Sequence, residues 1–169
     1  LDKPTVLFGQ NDMGIDYVDS DNEGSMAKAT EYAIEKGYEK IVYIGIDVDE
    51  PFAHSREKGY TTAMSNHGKE PCIYKLENRS RYSAAFIRDN WDKFPKNTLF
   101  LCASDRLGLG VIREIKEHDG DIPGDYGVIG HDGVFLDQIA YPNLTTLKQS
   151  ITEMGAACAR MVLKKVNEN

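Results

Sequence analysis

Cysteine, tryptophan and proline are scarce in this chain of 169 residues, which holds 3, 1 and 6 of them. Cys72, Cys102 and Cys158 are odd in number, widely spaced and set among apolar residues, so they read as reduced, structural side chains and not as a disulfide framework. No apolar run approaches the ~20 residues that span a bilayer. The longest, at 41–46 and 98–103, have the length of strands. Nothing at the start has the form of a signal peptide, so the reducing cytoplasm is the expected compartment. Basic runs are missing too: 20 Lys and Arg stand against 27 Asp and Glu, a net charge of −7. That balance argues against a chain that grips a phosphate backbone through clustered cations. With 41% hydrophobic residues, disorder and collagen-like repeats are excluded. At roughly 150 residues per domain the length suits about one domain, able to bury ~70% of its unfolded surface without metal or disulfide.

Several motifs of chemistry are absent. The four histidines, His54, His67, His118 and His131, show no HExxH or paired spacing, and no metal site is expected. The segment 19–24 resembles the start of a calcium loop, but its twelfth position is Thr30 where a bidentate glutamate is needed. A turn in which Asp21 or Asn22 caps the next helix is the better reading. Gly108 and Gly110 fall inside an apparent helix without a third glycine after a strand, so they speak for close packing and not for a dinucleotide fingerprint. A nucleophile elbow is lacking, since Ser104 is followed by Asp105-Arg106. The sequons at Asn78 and Asn143 recur by chance at this length.

What is present is alternation. Strand-length apolar runs at 5–8, 41–46, 72–76, 98–103, 127–130 and 144–147 are interleaved with helix-period segments at 25–36, 55–67, 82–93, 106–118 and 151–166. Strands apolar on both faces and separated by helices predict an α/β fold, a doubly wound parallel sheet covered on both sides. No repeat or linker divides the pattern.

In such sheets ligands bind outside the carboxyl ends of the strands, and polar residues stand there repeatedly. Arg56 follows the run 41–46, Ser80, Arg81 and Tyr82 follow 72–76, Ser104-Asp105 follow 98–103, and His131-Asp132 follow 127–130. Each has a plain alternative as a helix cap, turn former or surface ion pair. Recurrence at four strand ends favours a site. A guanidinium fork with carboxylate and hydroxyl acceptors suits the adjacent hydroxyls of a sugar or polyol. No acid, base or nucleophile set accompanies them, so the pocket reads as recognition without catalysis and without a cofactor.

An ordered series of motifs then carries a family resemblance: Asp21-Asn22 with Gly24-Ser25, Arg56 with Gly59-Tyr60 and Ala63-Met64, Ala103-Ser104-Asp105, Ile122-Pro123 with Asp125, Val128-Ile129-Gly130-His131-Asp132, and Pro142 with Leu144-Thr145-Thr146. The series resembles the effector-binding domain of LacI/GalR-type transcriptional regulators and spans essentially the whole chain. The resemblance implies a periplasmic-binding-protein-like fold of two lobes, with a sugar or nucleobase effector between them and a separate helix-turn-helix on operator DNA. Residues 17–148 would form the C-terminal lobe, and 1–9 and 151–169 would belong to the N-terminal lobe. Because the chain starts at Leu1 directly before a strand-like segment, a piece of a longer polypeptide is expected.

Carried over by position, Arg56 would grip effector hydroxyls and Asp132 would bind effector after its strand. Ser104 stands where asparagine is common, Asp105 would start its helix as a cap, and Ile151 and Met154 would add apolar contact from the other wall. Gly133 departs from a frequent second Asp or Asn, which leaves the effector open. Segment 17–22 is similar to maltose-type regulators and points toward a maltose-like sugar. The resemblance also implies a homodimer through the helix 107–117, with Leu109 and Arg113 as contacts. The apolar face of Ile151, Met154, Cys158, Met161 and Val162 is expected to lie uncovered in this chain. A sugar-binding protein of a transport system is the alternative, and an α/β enzyme of the same topology the third reading.

Overall fold

In chain order the elements are β1 (Leu7–Phe8), β2 (Tyr17–Val18), α1 (Asn22–Glu35), β3 (Lys40–Ile46), α2 (Pro51–Asn66), β4 (Cys72–Leu76), α3 (Ser80–Asp89), a 3-10 turn (Trp91–Lys93), β5 (Thr98–Cys102), α4 (Asp105–Glu117), β6 (Tyr126–Asp132), β7 (Thr145–Lys148) and α5 (Ile151–Asn167). This computed structural model describes residues 3–134 and 140–168. Leu1, Asp2, residues 135–139 and Asn169, which the expected lobe boundaries include, lie outside the described residues.

The alternation in sequence reappears as structure, with informative departures. Helix α1 starts at Asn22 because Asp21 caps it, Oδ1 accepting the Gly24 N–H at 2.8 Å. The acidic turn is therefore a cap. Helix α3 stops at Asp89, short of the expected 93, where Trp91–Lys93 tighten into a 3-10 turn ahead of Pro95. Strand β2 had no signal in the sequence, since two residues cannot show a period.

Strands β3 to β7 form one parallel sheet in the order β4-β3-β5-β6-β7. β3 from Ile41 onward and all of β5 are buried, as strands covered on both faces must be. The connection through α2 carries the chain from β3 to one edge, and α3 carries it back past β3 to β5. Right-handed crossovers put α2 on one face and α3 and α4 on the other. Helix α1 packs on α2 and α3 on α4. The second pair approaches closely at Gly110, where a Cβ would run into the Ser80 carbonyl and the Ser83 hydroxyl. Strand order reverses between β3 and β5, and a crevice opens at their carboxyl ends.

Strands β1 and β2 pair in parallel with each other, outside the main sheet. Helix α5 packs on both of them. Cys158 Sγ lies 3.6 Å from the Leu7 carbonyl, and Lys165 pairs with Asp16 at 2.8 Å. The face expected to lie uncovered is thus turned onto β1 and β2: Met154 is buried, and Cys158, Met161 and Val162 are half-buried. Ile151 does not share that burial; with Leu163 and Val166 it is exposed.

Candidate functional site at the strand-order reversal

Arg56 lies in the second turn of α2, at the crevice between β3 and β5, and is 5% exposed. Nη1 donates to the carbonyl of Ala103 at the end of β5 at 2.6 Å and reaches Asp132 Oδ1 at 3.4 Å. Nε donates to Asn22 Oδ1 at 2.8 Å, and the guanidinium lies over the Phe52 ring at 5.1 Å. Burial pulls the Arg56 group below its ordinary value, opposed by the charges of Asp132, Tyr43 and Asp19. Nη2 has no protein acceptor among the described residues. A buried donor left unpaired costs ~1–3 kcal/mol and calls for a partner.

Asp132 closes β6 with φ +123°, a backbone conformation that costs ~1–3 kcal/mol for a residue with a side chain and that gathers at functional sites. Its Oδ1 accepts from Gln149 Nε2 at 2.7 Å, from His131 Nδ1 at 3.3 Å and from Arg56. Oδ2 has no donor among the described residues. Burial pushes the carboxyl up, but the His131 hydrogen bond, the Arg56 charge and the Gln149 amide outweigh it and hold Asp132 below the usual carboxylate range.

Arg56 and Asp132 border a cleft of about 360 Å³ together with Phe8, Phe52, Asn78 and Gln149. The Phe52 ring lies against the Arg56 guanidinium and Phe8 also lines the cleft, so directional hydrogen-bonding groups and apolar surface share one pocket. The sequence reading did not name Asn22, Asn78, Gln149, Phe8 or Phe52 as site residues. Asn78 lies two residues after the end of β4 and Gln149 directly follows β7, so the strand-end rule extended to amides would have found both. Phe8 and Phe52 carry no such signal.

The other expected site residues fall in different places. Ser104 is fully buried beneath the cleft; it caps α4 and donates to Asn78 Oδ1 at 2.5 Å, one step behind the wall. Asp105 is also buried but is not the cap. Its carboxylate accepts from the Gly133 and Val134 amides at 2.7 and 2.9 Å and from Thr146 Oγ1 at 2.5 Å, which pins the turn after Asp132. Ser80, Arg81 and Tyr82 open α3 with exposed side chains, Arg81 stacked on Tyr82, and they do not line the cleft. Ile151 lines a neighbouring recess of about 290 Å³ that shares Asp132 and Gln149. Met154 faces a wider cleft of about 590 Å³ between α1, β7 and α5, and accepts from Ser20 Oγ at 3.3 Å. On α4, Leu109 is half-buried against the core and Arg113 is exposed. Among the described residues no cluster of His, Cys, Asp or Glu could hold a metal ion, and no helix is long and apolar enough to cross a membrane.

Residues 30–169 match the family described as periplasmic binding protein-like domain. The chain is 45% identical over 169 residues to the uncharacterized HTH-type transcriptional regulator YvdE of Bacillus subtilis (strain 168), covering 100% of this chain and 54% of that protein. It spans about half the length of the curated relatives it matches. A regulatory protein of the LacI family from Chloroflexus aggregans shares the fold, with a TM-score of 0.90 at 24% identity over 97% of this chain and 61% of that one. A transcriptional regulator CelR–cellobiose complex is 26% identical, with a TM-score of 0.79 over 92% of this chain and 50% of that one.

Proposed function

The chain belongs to the periplasmic binding protein-like family in the form carried by LacI/GalR-type transcriptional regulators, and from that premise we propose that it senses a sugar effector at the Arg56–Asp132 cleft. The observation that carries the reading is the buried guanidinium whose Nη2 lacks an acceptor among the described residues, set beside a carboxylate whose Oδ2 lacks a donor among them. A donor and an acceptor side by side match a pair of neighbouring hydroxyls. Phe8, an exposed ring at the cleft, offers an apolar face to the C–H side of a sugar ring. Cellobiose in the CelR relative supports the same ligand class.

In this reading Asn78, Gln149 and Asp19 complete the polar wall, with Ser104 behind Asn78, and binding alters the grip of a helix-turn-helix segment on operator DNA. The main sheet with its helices is one lobe, and β1, β2 and α5 belong with the other. Ile151 and Met154 then contribute from the side of the second lobe, and Ser80, Arg81 and Tyr82 from the rim. Leu109 and Arg113 join two copies through α4. A soluble, cytoplasmic regulator without catalysis or cofactor is the whole. Relatives carrying HTH-type regulator names support this over a transport protein.

Titration calorimetry of the chain with cellobiose, maltose, glucose and ribose tests the proposal. One lobe supplies half of a two-lobe clamp, so affinity in the millimolar range is expected, roughly 4 kcal/mol. Sugar binding that Arg56→Ala and Asp132→Ala both leave unchanged would overturn the assignment.

A further inference from the structure

His131 is a polar side chain buried to 1% exposure, and it joins two elements that the sheet does not. From β6 its Nε2 meets Ser25 Oγ of α1 at 3.3 Å, while Nδ1 meets Asp132 Oδ1 at 3.3 Å. A carboxylate only accepts, so Nδ1 carries a hydrogen, and Asp132 selects that arrangement of the ring. Ser25 braces the far side, its hydroxyl within reach of both Nε2 and, at 3.1 Å, the Asn22 carbonyl. Both ring nitrogens are thereby engaged, as burial requires.

Three donors converge on Asp132 Oδ1, and their joint effect is to leave Oδ2 without a protein donor among the described residues. Two of the three, Arg56 and Gln149, line the cleft themselves and are open to a ligand; His131 does not line it. His131 borders instead the wider cleft between α1, β7 and α5, so a molecule held in the Arg56–Asp132 cleft does not compete for its hydrogen bond.

Hydroxyl, imidazole and carboxylate in this order also describe a nucleophilic triad, but the surroundings of Ser25 do not serve one. The amides of Gly24 and Ser25 are spent on Asp21 Oδ1 and the Asp21 carbonyl, so they are not available to hold an oxyanion. The ring acts on the carboxylate and not on the hydroxyl.

We infer that His131 is a positioning residue for effector recognition: braced by Ser25, it orients Asp132 so that Oδ2 faces the ligand, without touching the ligand itself. The inference rests on the effector reading of the cleft. Among the influences that hold the Asp132 carboxyl down against its burial, the His131 hydrogen bond is the foremost.

NMR titration of the Asp132 carboxyl, paired with calorimetry on cellobiose and maltose, tests the inference in the 169-residue chain. His131→Phe removes both bonds and is expected to raise the Asp132 titration midpoint and weaken sugar binding about tenfold. His131→Asn keeps a donor near the Nδ1 position and should recover most of both effects. In the Asp132→Asn background, His131→Phe should cost no more than about twofold further, because the ring acts through that carboxylate. A folded His131→Phe variant with unchanged titration and affinity overturns the inference, as does a full effect that persists in the Asp132→Asn background. Should His131→Phe not fold, Ser25→Ala takes its place, and an unmoved Asp132 titration then overturns the brace. If neither sugar binds, the titration alone decides in the same way. Failure of the effector reading looks different: sugar binding indifferent to Asp132→Asn, while His131→Phe still moves the titration.

Discussion

Arg56 is held by three groups that are not ligand, the Ala103 carbonyl, Asn22 and Asp132, so its fork is aimed before any effector arrives. Truncating it removes two free donors and leaves the Ala103 carbonyl and Asn22 without their partner. Arg56→Ala and Asp132→Ala are each expected to weaken sugar binding by roughly 10- to 100-fold, from ~1–3 kcal/mol per lost buried partner, as calorimetry would read. Asp105 belongs to a different account. Its carboxylate satisfies two amides and a hydroxyl around the turn that follows Asp132. Asp105→Ala should destabilise the chain by about 2–3 kcal/mol in urea unfolding, since buried amides lose their acceptor. Acid acts on Asp132 through linkage. With its folded pKa held below the unfolded value of about 3.9, its contribution is fully present above that value and is lost as pH falls through the folded one. Wild type should therefore lose more stability between about pH 6 and about pH 3 than Asp132→Asn does in urea melts.

At the scale of elements, α2 and α4 bring Arg56 and Ser104 to the same crevice from opposite faces of the sheet. The register of α4 on α3 depends on Gly110, beside the Ser80 carbonyl and Ser83, whose hydroxyl donates to the Leu107 carbonyl at 2.8 Å. Gly110→Ala should cost about 1–3 kcal/mol by overpacking, measured as a lower urea midpoint with unchanged slope. Because α3 opens at Ser80, two residues after Asn78, the same substitution should also weaken sugar binding if α3 moves outward. A variant as stable as wild type would show that α3 and α4 can part without strain.

For the whole molecule, the proposed dimer through α4 makes a direct prediction. Leu109 sits half-buried and Arg113 exposed on the outer side of that helix, while the inner side is sunk in the core. Leu109→Asp with Arg113→Glu should shift sedimentation at high micromolar concentration from a dimer toward the 18.9 kDa monomer. A wild-type chain already monomeric there would rule the contact out. The net charge of −7 predicts no sequence-specific retardation of DNA by this chain in a low-salt gel shift.

Periodicity alone placed the five strands of the main sheet and the helices between them, most directly the central β3 and β5, because burial on both faces writes a continuous apolar run that needs no partner to be recognised. That Arg56 and Asp132 stand at one end of the sheet was also legible, since polar residues beyond the strands of a parallel sheet gather at the same end. Periodicity could not say which of those residues share a cleft. Asp132 meets Arg56 from 76 positions away and Gln149 from 17, and Ser25 reaches His131 across 106. Such pairings follow from strand order, and strand order is set by which crossovers pack, not by any local pattern. The same holds for the division of labour at the start of α4, where Ser104 caps and Asp105 pins a distant turn. Two acceptors adjacent in sequence point to different partners, and only packing in three dimensions tells them apart.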